Sequence, residues 1–331
     1  MVTRSMLPAL LLLAATGGRA DAQVSGTAPR WHVVADVPLP GKPARFDYQS
    51  FDASTGWLWI AHMGAAQVLA FDVRSRRGVA RVRDMPGVTG IRVVPALHRV
   101  FASLSAGHAV AVLDSRDGHL VGRVPGGAFP DGLAYAPRAR RLFVSDERGR
   151  QELVIDVATS TARSPIPLGG EAGNTQYDSV AGRIWVAVQT RNQLAAIDPA
   201  TDSVVDRIAI AGVDHPHGFY LDAPHRIAYV TGEDSATLGV LDLRSRRMVH
   251  TYRVGDEPDV LDFDPVRHRL YVACESGMIA PFEIRDDSLT PLPLYRAPSA
   301  HSVAVDPSTG LVYAPLESVQ GRPTLRILGL Q

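Results

Sequence analysis

The stretch LFVSDERGRQELVIDVATSTARSPIPLG, Leu142–Gly169, decides the fold. It reads as an apolar run closed by Ser145 and Asp146, a charged turn, a second run closed by Asp156, a Ser/Thr turn, and a last piece interrupted by Pro165 and Pro167. Apolar runs of about 4–8 residues bounded by turn residues are strands. The pattern recurs along the chain: LWIAH, VFASL, LFVSD, IWVAV, AYVTG, LYVAC and VYAPL place aromatics at Trp59, Phe101, Phe143, Trp185, Tyr229, Tyr271 and Tyr313. Their intervals are 42, 42, 42, 44, 42 and 42 residues, too regular for chance.

Each unit therefore holds four short strands, and seven units at this period are the signature of propeller blades. The expected fold is all-β, a seven-bladed β-propeller of four-stranded blades. The unit from His301 has room for only three strands, and WHVVADVPL, Trp31–Leu39, precedes the first unit. This N-terminal strand is expected to join the C-terminal blade and close the ring, which leaves no open sheet edge. Thirteen residues after five of the aromatics stand Asp72, Asp114, Asp156, Asp198 and Asp242, where a short carboxylate forms a turn by bonding the backbone.

Leu142–Gly169 and IWVAVQTRNQLAAIDPATDSVVDRIAI, Ile184–Ile210, resemble the YVTN repeats of the YncE-like propellers, a likeness covering roughly residues 31 to 329. That architecture is shared with lactonase-type propellers, so the resemblance implies a fold more than an activity.

The chain balances 34 basic against 34 acidic side chains, which argues against an electrostatic grip on nucleic acid. Its first residues carry Arg4, an apolar run from Met6 to Ala15 and a small-residue site at Ala20–Ala22, the layout of a secretory leader cleaved near Ala22/Gln23. The domains expected are a signal peptide over 1–22, a flexible N-terminus over 23–30 and one propeller over 31–331. No apolar segment reaches the roughly 20 residues of a membrane span, so the mature protein is expected in the periplasm or secreted, as a monomer. Cys274 is the single cysteine, which excludes a disulfide within the chain, haem attachment and a cysteine-based zinc site. PGGA and LGGEAGN are blade connections with no helix after them, so no nucleotide is expected.

Twelve residues before each aromatic, where the innermost strand begins, stand Asp47, Thr89, Asp131, Gly173, His217, Asp259 and His301. Four residues after each stand Met63, Ser105, Glu147, Gln189, Glu233, Glu275 and Glu317. In an antiparallel hairpin the start of one strand lies beside the end of the next, so both series are expected at one mouth of the channel. His62 and Asn174 are expected to reach the same face, whereas His215 in DHPHG reads as a turn residue. Crowded carboxylates repel unless a cation sits among them, and Arg45, Arg148 and Arg191 are the internal rivals for that role.

The expected metal ligands are His217, Asp259, His301 and Glu317, with Asp47, His62, Asp131, Glu147, Asn174, Gln189, Glu233 and Glu275 as further ligand-binding residues. Mixed His and carboxylate donors suit Zn²⁺, Mn²⁺ or Fe²⁺, and a carboxylate subset suits Ca²⁺. Three functions stay open: a propeller binding a metal or small polar ligand, a metal-dependent hydrolase with His217 or His301 as proton shuttle, and a scaffold holding a protein on a blade rim. Likeness to lactonase-type propellers implies a Glu, Asn and Asp set, here Glu317, Asn174 and Asp259.

Overall fold

A computed structural model describes residues 29–285 and 288–331. The leader assigned to 1–22, and 23–28 of the segment after it, lie outside the described residues. Seven antiparallel sheets of four or five strands follow one another along the chain. Blade 4 is typical: Ala172–Asp178 is innermost, then Arg183–Val188, Gln193–Asp198 and the outer Ser203–Ala209. Blades 3 and 6 split their outer strand into two short pieces, Thr161–Ala162 with Ile166–Pro167 and Ser288–Pro291 with Tyr295–Arg296. Pro165, Pro291 and Pro293 account for the breaks, since proline lacks the ladder N–H and is tolerated at a sheet edge.

Blade 7 takes Ala304–Asp306, Leu311–Val319 and Arg322–Leu330 from the C-terminal end and Trp31–Pro38 as its outer strand. The pairing runs from Trp31 opposite Leu330 to Pro38 opposite Thr324. Arg30 extends it by one more exchange with Gln331, one residue further out than the expected start of the domain.

Strand alternation explains the cohesion of the ring. Trp59 and Ala61 pack with Val88, Val100 and Ala102 of blade 2, whereas Leu58 and Ile60 pack with Tyr313, Leu325 and Ile327 of blade 7. Seven such apolar clusters fill the seven blade junctions. The repeated aromatics are at most 5% exposed, and burying each contributes roughly 1.5–3 kcal/mol. The five turn aspartates each accept the backbone N–H two residues on, at 2.7–2.9 Å.

Candidate functional site

Five innermost strands carry a β-bulge near their start, between Val88 and Ile91, Pro130 and Leu133, Ala172 and Thr175, Pro216 and Phe219, and Pro258 and Leu261. A bulge re-aims a side chain. Asp131, His217 and Asp259 sit in three of them. Glycine follows Asp131 and His217, because neighbouring innermost strands nearly touch: a Cβ on Gly218 would lie 1.5 Å from the Asp259 carbonyl oxygen. Thr231 from the adjoining strand donates to that Gly218 carbonyl at 2.9 Å and braces the bulge.

The result is a cavity of about 190 Å³ at one end of the channel. Six carboxylates line it, from Asp47, Asp131, Glu147, Glu233, Asp259 and Glu275, facing Arg45 and the imidazoles of His215, His217 and His301. Gln189 lines it too, with its amide tied to the Ala172 carbonyl at 3.1 Å.

Two triads within it have metal-ligand spacing, His217–Glu233–Asp259 and Asp259–Glu275–His301. Asp259 belongs to both: Oδ2 lies 2.8 Å from His301 Nε2 and Oδ1 lies 3.4 Å from His217 Nε2. The second triad already has an internal cation. Arg45 grips Glu275 with two hydrogen bonds of 2.9 and 3.2 Å and reaches to 3.1 Å from His301 Nδ1. No guanidinium bonds the first triad, whose one cationic group is the His217 imidazole itself, and Asp259 Oδ1 is buried with no hydrogen-bond partner among the described residues.

Charge is shared unevenly. Burial opposes the His217 imidazolium, but Asp259, Glu233 and Asp131 outweigh it and hold the ring up to about 9. Burial likewise opposes charge on Asp259, yet His301 and His217 bring it down to about 2. Asp131, only 3.6 Å from His217, is pushed up to about 7 by burial and by Asp47. The counter-ion of His217 is therefore Asp259, with Asp131 as the carboxyl that holds a proton near neutrality. Burial raises Glu147 and Glu233, while the His301 hydrogen bond lowers Glu275.

Three residues take other places than the expected mouth. His62 is buried within the blade 1 and blade 7 junction, stacked on Phe46 at 3.9 Å and bonded to Gln67, and burial lowers it to about 4. Its strand parity is that of Ile60, which faces the same junction. Asn174 lines a second cavity further along the channel. Glu317 lines neither, because the blade 7 hairpin continues to Val319 and Arg322. Glu317, Asn174 and Asp259 are thus not gathered at one point.

Two contributors were not foreseen. His215 lines the mouth and meets Glu233 at 3.1 Å. Tyr48 is buried, with its hydroxyl 3.3 Å from His217 Nε2 and 3.5 Å from Asp131. The signal for Tyr48 was its position: blades 2, 3 and 5 carry Gly90, Gly132 and Gly218 at the same offset from their aromatics.

Fold and mouth together define the class: a seven-bladed β-propeller whose channel ends in a His- and carboxylate-lined cavity. No family model and no curated protein matches the chain. Among solved structures it is similar to Kuenenia stuttgartiensis hydrazine synthase, with TM-score 0.72 and 15% identity over 91% of this chain and 98% of that one. At that identity the likeness is one of fold. No helix among the described residues is long and apolar enough to cross a membrane.

Proposed function

We propose that this chain is an extracytoplasmic propeller of YncE-like kind that holds one divalent cation at its channel mouth, through His217, Glu233 and Asp259. The observation that carries this reading is the buried Asp259 Oδ1 that accepts no hydrogen bond, in the triad whose members bond no guanidinium. A buried carboxylate oxygen that accepts no hydrogen bond costs on the order of 1–3 kcal/mol, and a metal ion that displaces the His217 proton would bind that oxygen directly. One imidazole and two carboxylates suit Zn²⁺, Mn²⁺ or Fe²⁺ better than Ca²⁺, which takes more oxygens. The leader-like residues 1–22 support a place outside the cytoplasm, where metal is captured from solution.

The test is elemental analysis of the chain from Gln23 onward, purified without chelator. About one ion per chain is expected, lost in His217→Ala and in Glu233→Gln and kept in His225→Ala and His268→Ala, which lie in the turns after the innermost strands of blades 5 and 6, on the face opposite the mouth. Metal-free protein whose melting does not respond to added Zn²⁺, Mn²⁺ or Ca²⁺ would overturn the reading.

Hydrolysis is the second reading, favoured by the three-ligand triad, which leaves a coordination position for water. Metal-dependent turnover of lactones or esters by the loaded protein, lost in His217→Ala, would establish it.

A further inference from the structure

The channel holds a second cavity, of about 400 Å³, lined by the middle and far ends of the innermost strands. Ala53 and Pro307, in the turns that follow those strands, also line it, so it opens on the face opposite the mouth. Tyr48 is the residue both cavities share.

Nine residues before each repeat aromatic, the innermost strands place one ring of side chains around this lumen. In three blades that position clamps neighbouring strands together, since innermost strands of adjacent blades leave backbone N–H groups unpaired. Ser50 accepts from Val93 N–H at 3.1 Å, Gln176 from Leu221 N–H at 3.0 Å and Asp262 from Val305 N–H at 2.8 Å. Blade 2 has Arg92 there and blade 5 has Tyr220, and neither makes the clamp.

The Arg92 guanidinium has no carboxylate within 4.0 Å among the described residues, and no hydrogen bond satisfies it. Its side chain is exposed to the lumen, close enough to Tyr220 and Asp262 to feel their charge. Arg141, Arg226 and Arg267, which are more sheltered than Arg92, are all paired to aspartates. An unpaired guanidinium lining a cavity is a planar two-donor fork that fits a carboxylate. The lining is mixed, and its apolar part includes Val260 and the Tyr220–Phe263 pair at 5.3 Å between ring centroids. The volume falls within the range of small-ligand sites, about 300–1,000 Å³.

We propose that this lumen is a second binding site, for a small organic monocarboxylate with an apolar or aromatic body, anchored by Arg92. Tyr220 and Phe263 take the body of the ligand. Asp262 supplies the selectivity, because its carboxylate repels a second negative charge.

The test is calorimetric titration of the folded chain with benzoate as probe, beside benzamide, succinate and inorganic phosphate. Benzoate is expected to bind with Kd below about 1 mM, and benzamide, succinate and phosphate at least about tenfold more weakly. Arg92→Met should weaken benzoate at least about tenfold, with thermal melting showing that the variant is folded. Arg92→Gln serves if Arg92→Met does not fold. Asp262→Asn should narrow the gap between succinate and benzoate, and His217→Ala at the other mouth should leave benzoate affinity unchanged. Absence of benzoate binding, equal binding of benzamide, tighter binding of phosphate, or wild-type affinity in the folded Arg92 variants overturns the proposal.

Discussion

Asp259 joins the two halves of the mouth, one oxygen toward each histidine, and the protonation of His217 governs what else can enter. In the metal-free chain His217 is held up to about 9. A raised imidazole stabilises the fold fully below its unfolded value near ~6.5 and loses that contribution as pH climbs through the folded value. A metal ion must displace the same proton, so affinity should weaken as pH falls below about 9, by on the order of tenfold per unit for one proton. Zn²⁺ competition titrations at pH values of about 6.5, 7.5 and 8.5 read this slope. His217→Asn should flatten it, and an unchanged slope in that variant would remove His217 from the ligand set.

At the scale of the strand, the bulge and its glycine decide where these residues point. Gly218→Ala would put a Cβ 1.5 Å from the Asp259 carbonyl, so the Asp259 strand must move. The expected cost is about 1–3 kcal/mol in denaturant unfolding, with metal affinity lowered as well. Gly122, in an outer strand with nothing within 4 Å of its Cβ position, is the control. Its alanine variant should be neutral or stabilising by about 0.5 kcal/mol. Equal behaviour of the two variants would mean that strand proximity does not position Asp259. The same detail explains what could be read from the sequence and what could not. Counting from the repeat aromatics placed Asp47, Asp131, His217, Asp259 and His301 at one mouth, because a 42-residue period conserves register. It misplaced His62, whose parity turns it into a blade junction, and Asn174, which lies in the bulge of blade 4 and faces the other cavity. Glu317 was misplaced because its hairpin outgrows the repeat, which an offset measured on other blades does not register. Arg45 was foreseen as a counter-charge at the mouth, but its particular partner, Glu275, lies 230 residues away and left no local trace.

For the whole molecule, the two ends of the chain meet in one sheet. Trp31–Pro38 pairs along Arg322–Leu330, and Arg326 grips Asp36 with hydrogen bonds of 2.7 and 2.6 Å. Trp31 donates to the Pro293 carbonyl at 2.6 Å and packs on Tyr271 and Tyr295, tying blade 7 to blade 6. Every other blade is made from consecutive strands, so among the described residues this ladder is the one blade pairing that joins residues 286 or more apart in sequence. Removing residues 31–38 leaves Arg322–Leu330 as a bare, largely buried apolar edge, a template for pairing with another chain. A chain beginning at Leu39 should therefore lose on the order of 5 kcal/mol, comparable with the stability of a whole domain, and self-associate in sedimentation velocity. A synthetic peptide of residues 29–39 added in trans should restore monomers and raise the melting temperature, because strand addition supplies the missing ladder. A truncated chain that stays monomeric and melts as the full chain does would show that the blade junctions alone hold the ring, and the latch would then be incidental to its closure.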